Sequence, residues 1–75
     1  MDFDAELDAC GLNCPLPILR TKKALKPMDV GQVLHVIATD PGSIKDLEAF
    51  CKQTGNEMVG SSEDGEKYYF FIKKT

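Results

Sequence analysis

Prolines and glycines divide this chain into six short segments whose apolar residues alternate between strand and helix patterns. Segments rich in β-branched or alternating apolar residues predict strands, and segments with apolar residues at helical spacing predict helices. The predicted strands are residues 5–9, 32–39, 57–62 and 67–73, and the predicted helices are residues 14–26 and 41–54. The resulting order, β-α-β-α-β-β, constrains the fold more than any other feature of the sequence.

The boundaries of these segments are marked by typical residues. Pro27 ends the first helix, because the residue before a proline is pushed out of the helical region. Asp40 and Pro41 predict the N-cap and the first residue of the second helix, and Gly55 predicts its C-cap. Asp-Gly at residues 64–65 predicts a hairpin turn between the last two strands.

These elements predict an α+β two-layer sandwich, in which a mixed four-stranded sheet carries both helices on one face. Strands that are connected through a helix favour parallel pairing, whereas the two strands of the hairpin must pair antiparallel. The last strand could form an edge of the sheet. The predicted core-facing residues are Ile18, Leu19 and Leu25 in the first helix, and Ile44, Leu47, Phe50, Cys51 and Thr54 in the second.

Length and composition predict a single globular domain over residues 1–75, of which 43% are hydrophobic. The net charge of −3 argues against nucleic-acid binding. The N-terminus is acidic and lacks the basic stretch of a signal peptide, and no apolar run approaches the roughly 20 residues of a membrane span. We therefore expect a cytoplasmic protein, in which the three cysteines favour reactivity or metal binding over a disulfide framework.

The stretch CGLNCPLPILR, residues 10–20, gives the strongest functional signal. If a helix starts at Cys14, then Pro15 and Pro17 are its first and third residues, where a missing N–H costs little. Cys14 is then the N-cap, and the amide of Leu16 is the donor that remains near its sulfur. Together with the positive end of the helix dipole, this placement predicts an exposed, nucleophilic Cys14 thiol with a lowered pKa.

Other roles for the cysteines stay open on the residues alone. Cys10 and Cys14 could form a regulatory disulfide, or could bind zinc with Cys51 and His35, although the C-x3-C spacing departs from usual zinc sites. Cys14 could also be a buried structural thiol. Cys51 is predicted to lie in the core. His35, the single histidine, is predicted to be a half-buried strand residue rather than a base paired with Cys14.

The charge of the chain changes sign around Cys14. The acidic residues before it are Asp2, Asp4, Glu6 and Asp8, and the basic residues after it are Arg20, Lys22, Lys23 and Lys26. Such runs are usually solvated surfaces, but the basic run is also suited to docking an acidic partner protein.

The stretch LDACGLNCPLPILRTKKAL resembles the signature region of the TusA/SirA-like sulfur carrier family, whose members carry a Cys-Pro-x-Pro motif at the start of the first helix. The resemblance continues through DPGS and DLEAFCKQTGNEM and covers nearly the whole chain. It implies a two-layer β-α-β-α-β-β fold, sulfurtransferase activity, and Cys14 as the residue that carries sulfur as a persulfide. It implies that no small-molecule cofactor is needed, and we expect no metal site.

The resemblance also implies partner proteins. A rhodanese or a cysteine desulfurase would donate the sulfur and a DsrE-like protein would accept it, in tRNA 2-thiouridine synthesis or in sulfur oxidation. Cys10, which the plainest form of the motif lacks, favours the sulfur-oxidising branch. We expect a monomer with no direct nucleic-acid or membrane partner.

Two alternative functions remain. The first is a redox sensor or regulatory interaction module that uses Cys10 and Cys14 without transferring sulfur. The second is a small RNA-binding module, by analogy with the fold of the C-terminal domain of translation initiation factor 3. The acidic charge argues against the second alternative.

Overall fold

A computed structural model describes residues 2–75 and contains the six elements in the predicted order. They are β1 (Ala5–Ala9), α1 (Leu16–Leu25), β2 (Val33–Ala38), α2 (Ser43–Thr54), β3 (Glu57–Asp64) and β4 (Lys67–Lys73). Neither helix in this part of the chain is long and apolar enough to cross a membrane.

The four strands form one mixed sheet in the order β1-β2-β4-β3. β1 and β2 are parallel, and β4 runs antiparallel to both β2 and β3. The prediction that β4 could form a sheet edge was wrong, because the hairpin returns β4 into the gap between β2 and β3. Its buried Phe70 and Ile72 explain this central place, whereas β3 has no buried residue and forms the edge.

The core lies between the sheet and the two helices, so the predicted two-layer sandwich is confirmed. Along β2 every second residue is buried, which places Leu34, Val36 and Ala38 on the helix-covered face. Leu47 of α2 and Leu25 of α1 pack in the same cluster. The alternate residues of β2 lie on the opposite, open face of the sheet.

The buried face of α1 differs from the predicted one. Leu19 is 53% exposed, whereas Pro17, Thr21 and Leu25 are buried. These three residues are spaced four apart and so form one stripe along the helix. Thr21 can be buried because its hydroxyl donates a hydrogen bond to the carbonyl of Pro17, at 2.8 Å.

The buried face of α2 was predicted correctly for Leu47, Phe50 and Cys51, with Ile44 half-buried. Thr54 is exposed instead, and its hydroxyl donates to the carbonyl of Phe50 at 2.7 Å. Its hydrogen bond to the preceding turn satisfies the hydroxyl without burial.

The boundaries of α2 confirm one predicted cap and correct the other. Gly55 is the C-cap, with a left-handed φ of 81° and its N–H donating to the carbonyl of Cys51. The helix begins at Ser43, not at Pro41, because Asp40 closes a turn before it. The Asp40 carboxylate accepts from the N–H of Gly42 at 3.1 Å, and its carbonyl accepts from the N–H of Ser43 at 2.9 Å.

The parallel pair β1 and β2 determines where the functional segment lies. Ala9 is opposite Ala38, so both strands end at the same edge of the sheet. The segment that follows β1 holds Cys10 and Cys14, and the segment that follows β2 holds Asp40. The two segments therefore meet beside the starts of both helices.

Candidate functional site

Cys14 lies in the turn that joins β1 to α1 and is exposed to solvent. It does not cap the helix. α1 begins at Leu16 with Pro15 at the N-cap position, and no side chain caps it. The amide of Leu16 donates to the carbonyl of Asn13 at 2.8 Å, so it is not the free donor near sulfur that the sequence predicts. Pro17 lies in the first turn, where its missing N–H costs little.

The backbone of Cys14 is fixed by the segment after β2. Its N–H donates to the Asp40 carboxylate at 2.9 Å. The same carboxylate accepts from the N–H of Gly42, and the carbonyl of Asp40 accepts from both the N–H and the hydroxyl of Ser43. Asp40 thus ties the turn that holds Cys14 to the start of α2.

The electrostatic environment of the thiol is opposite to the predicted one. The pKa of Cys14 is raised, first by hydrogen bonding of its thiol to the Asp46 carboxylate, then by loss of hydration of the thiolate and by the negative charges of Asp46 and Asp40. The sequence prediction of a lowered pKa failed because it counted the dipole of α1 but not two carboxylates that come from the other helix and the turn before it.

Cys10 directly follows β1 and is half-buried. Its N–H donates to the Asp8 carboxylate at 3.0 Å. The pKa of its thiol is also raised, first by a side-chain hydrogen bond to Asp8 and then by partial burial and the charge of Asp8. Cys10 and Cys14 follow the same strand but both are free thiols in this structure.

The third thiol, that of Cys51, lies in the packed core. Cys51 is buried in the core on α2, at 5% exposure, and burial raises its pKa. The prediction that Cys51 lies in the core is confirmed. Of the three cysteines, Cys14 alone is exposed.

His35 lies in β2 on the open face of the sheet, away from the helices, and is half-buried as predicted. Its ring stacks on Phe71 with the centroids 4.5 Å apart and lies 4.8 Å from the ring of Phe3. Its Nδ1 lies 3.0 Å from the Glu6 carboxylate. These contacts place His35 among Phe3, Phe71 and Glu6 on the open face of the sheet. It is therefore not positioned to act as a base for Cys14.

The four basic residues Arg20, Lys22, Lys23 and Lys26 are all exposed on or just after α1. Two apolar side chains of the same helix are also exposed, Leu16 at 43% and Leu19 at 53%. The helix that follows Cys14 therefore presents a surface that is both basic and apolar. Such a surface is typical of protein docking sites.

The site has no room for a large ligand. A groove of about 200 Å³ runs between the helices beside Asp46 and is lined by Ile18, Ala49, Phe50 and Gln53. Drug-sized ligands and cofactors usually occupy clefts of about 300–1,000 Å³. Within residues 2–75, no group of three or more His, Cys, Asp and Glu side chains is arranged to hold a metal ion. An exposed thiol near a small, open groove is suited to react with a thiol of another protein.

Asp40 and Asp46 are the site residues that the sequence prediction missed. A signal for Asp40 existed, because side chains that follow two parallel strands meet at the same sheet edge. Asp46 carried no comparable signal, since an acidic residue in the first turn of a helix is common for reasons of helix stability alone.

Comparison with known proteins agrees with this site. Residues 5–74 match the family model described as Sulfurtransferase TusA. The chain is 70% identical over 74 residues to the sulfur carrier protein TusA of Allochromatium vinosum, which covers 99% of this chain and 97% of that protein. It is 44% identical over 71 residues to the sulfur carrier protein TusA of Pseudomonas entomophila, covering 95% of this chain and 89% of that protein.

The fold has a solved counterpart. The crystal structure of a SirA-like protein from Desulfitobacterium hafniense superimposes with a TM-score of 0.81 at 26% sequence identity, covering 93% of this chain and 96% of that one. The family match spans the whole fold, including the Cys-Pro-x-Pro turn and both helices that surround it. On this evidence the chain belongs to the TusA family of sulfur carrier proteins.

Proposed function

We propose that this protein carries sulfur as a persulfide on Cys14, receiving it from one protein and delivering it to another. The observation that carries the proposal is the position of Cys14, which is the exposed thiol among the three and stands in an open turn beside a basic helix. Membership of the sulfur carrier family supports it further.

Each transfer is a thiol exchange, which needs a thiolate, access and a leaving group. The Cys14 thiolate attacks the outer sulfur of a donor persulfide. The sulfur–sulfur bond of the donor breaks, its electron pair leaves with the donor cysteine as a thiolate, and Cys14 becomes Cys–S–SH. An acceptor thiolate then attacks the outer sulfur and expels Cys14 as a thiolate. No net oxidation or reduction occurs, so no redox cofactor is required.

We assign the donor to the rhodanese or cysteine desulfurase class and the acceptor to the DsrE-like class, as the resemblance implies. The protein would work as a cytoplasmic monomer, in a compartment where thiols stay reduced. The exposed basic face of α1 would dock an acidic surface of the partner, which brings the two sulfur atoms together.

Mass spectrometry after incubation with polysulfide tests the assignment of Cys14. We expect the unchanged chain and the Cys10→Ser and Cys51→Ser variants to gain sulfur that a reducing agent removes. The amount of sulfur added to Cys14→Ser should be lower by about tenfold or more, because a serine hydroxyl is not ionised at neutral pH and does not attack sulfur. If Cys14→Ser still gains sulfur and Cys10→Ser does not, the carrier residue is Cys10.

A further inference from the structure

The turn that carries Cys14 is held by the two residues that follow β2, Thr39 and Asp40. The N–H of Gly11 donates to the hydroxyl of Thr39 at 2.8 Å, and the N–H of Cys14 donates to the Asp40 carboxylate at 2.9 Å. These bonds join residues that are 28 and 26 positions apart in the chain. Thr39 and Asp40 together form a clamp, which fastens the turn near both of its ends.

The parallel pairing of β1 and β2 explains why these two side chains reach the turn. Ala9 lies opposite Ala38, so the segments that follow the two strands leave the sheet side by side. Thr39 and Asp40 are both half-buried, and a hydrogen bond that is partly shielded from water is stronger than an exposed one. Gly11 has a φ of 79°, which favours glycine and turns the chain shortly after β1.

The Asp40 side chain is itself fixed in place. Its Oδ2 accepts from the N–H of Cys14, and its Oδ1 accepts from the N–H of Gly42 at 3.1 Å. The backbone carbonyl of Asp40 accepts from the N–H of Ser43 at 2.9 Å, at the start of α2. The backbone of Cys14 is therefore tied to a helix start and not to a freely rotating carboxylate.

We propose that Thr39 and Asp40 are positioning residues for sulfur transfer, which hold the Cys14 turn in one conformation so that its exposed sulfur aligns with the sulfur of a partner protein. This inference rests on the proposed function of Cys14 as the carrier residue. It adds two residues from the segment after β2 to a site otherwise formed by the turn before α1.

Transfer between two proteins demands more order than loading from a small molecule. In a docked complex the two proteins must align the attacking and leaving sulfur atoms, and any backbone freedom left in the turn is lost before the transition state. A polysulfide ion is small and moves freely, so it can align itself with the thiol. Loosening the clamp should therefore slow transfer from a protein and leave loading from polysulfide unchanged.

Amide hydrogen exchange measured by NMR tests whether the clamp holds the turn. Thr39→Val removes the hydroxyl, so the amide of Gly11 should exchange about fivefold faster, as expected for the loss of one hydrogen bond of ordinary net strength. Thr39→Ser keeps a hydroxyl and should restore most of the protection. Asp40→Asn replaces one of the two acceptor oxygens by an NH2 group, so the amide of Cys14 or that of Gly42 should exchange faster.

Sulfur transfer from a persulfide-carrying cysteine desulfurase or rhodanese tests whether the clamp acts in the reaction. At saturating donor, Thr39→Val should slow transfer by about two- to fivefold, because the aligned turn is less populated. The donor concentration at half-maximal rate should stay the same, since the docking surface on α1 is untouched. Thr39→Ser should restore the rate. Because Thr39 is uncharged, these variants leave the charge near the Cys14 thiol as it is.

Thr54→Val is the matched control, since it also removes a threonine hydroxyl from a hydrogen bond. The Thr54 hydroxyl donates to the carbonyl of Phe50 at 2.7 Å, at the end of α2 that lies away from the clamp. This variant should leave the exchange of the Gly11 amide and the rate of protein transfer unchanged. Urea unfolding of both valine variants separates a lost position of Cys14 from a general loss of stability.

The outcomes separate this inference from the proposed function. If polysulfide loads Cys14 but protein transfer is equally fast in Thr39→Val and the unchanged chain, the inference is overturned and the carrier assignment stands. Unchanged amide exchange in both clamp variants also overturns the inference, as does a chain that loads from polysulfide but from neither donor protein. If polysulfide does not load Cys14 in the unchanged chain, the carrier assignment fails, even where faster exchange in Thr39→Val shows that the clamp holds the turn.

Discussion

At the scale of single residues, neighbouring aspartates determine the direction in which the thiol pKa of each cysteine after β1 is shifted. Asp46 raises the pKa of Cys14, and Asp8 raises the pKa of Cys10. Cys14 is therefore not the activated thiolate that its place before a helix predicts. The dipole of a helix terminus is equivalent to about half an elementary charge, so a full carboxylate charge in direct contact outweighs it.

The Asp8 contact gives a prediction for Cys10. Because a raised pKa leaves less thiolate at neutral pH, Asp8→Asn should lower the pKa of Cys10 and increase its alkylation rate at pH 7 by about threefold. The rate for the unchanged protein should rise as the pH approaches the raised pKa. Peptide mass mapping measures both, and Asp2→Asn, a change at an exposed residue, is the control. Equal rates in the Asp8 and Asp2 variants would contradict the contact.

The sequence could predict part of this site. It predicted the exposure of Cys14, placed Cys51 in the core, and separated His35 from the thiol, because each of these follows from local pattern. The helix start and the thiol pKa could not be predicted locally. The helix start depends on the carbonyl of Asn13, which accepts the hydrogen bond of the Leu16 N–H. The thiol pKa depends on the Asp46 carboxylate of the second helix, which comes near Cys14 only when both helices pack on the same face of the sheet.

At the scale of elements, α1 carries both the proposed docking surface and one side of the core. Pro17, Thr21 and Leu25 face the sheet, which turns Leu19 and the basic residues outward. The sequence predicted the exposure of the basic residues correctly and that of Leu19 wrongly. A helix that starts at Leu16 with proline in its first turn buries a stripe that includes a proline and a threonine, and neither is a usual core residue.

This arrangement predicts the effect of charge reversal on docking. Lys22→Glu should slow sulfur transfer from a loaded cysteine desulfurase by about three- to tenfold at low salt, with a smaller effect at high salt. Lys52→Glu is a matched control, since Lys22 and Lys52 are both exposed residues in the last turns of their helices. Both variants should load from polysulfide at the unchanged rate. If the two reversals slow protein transfer equally, α1 is not the docking face.

At the scale of the whole molecule, the insertion of β4 between β2 and β3 gives the fold its closed core. The element order was predictable, because each segment has a clear pattern. The strand order was not, since the sequence favours a parallel connection from β2 through α2 but does not exclude an intervening strand. β2 and β3 do run in the same direction, but each pairs with β4. Phe70 and Ile72 of β4 are buried as a result.

A core this small makes the fold sensitive to one buried side chain. A domain of 75 residues has an expected stability of about 4–11 kcal/mol. Leu34 is fully buried on β2, between the parallel partner β1 and the antiparallel partner β4. Leu34→Ala should cost about 2–5 kcal/mol, since it removes apolar contacts and leaves a cavity that the strands on either side cannot close.

Urea unfolding at neutral pH measures this cost, with Val30→Ala as the control. Val30 is 76% exposed in the loop before β2, so its truncation should change the unfolding free energy by less than about 0.5 kcal/mol. The slope with urea should be the same in both variants, because both still unfold the whole sheet. Equal midpoints for the two variants would mean that the side chains of β2 are not the centre of the core. The parallel pairing that brings Cys14 to Asp40 would then lose its structural basis.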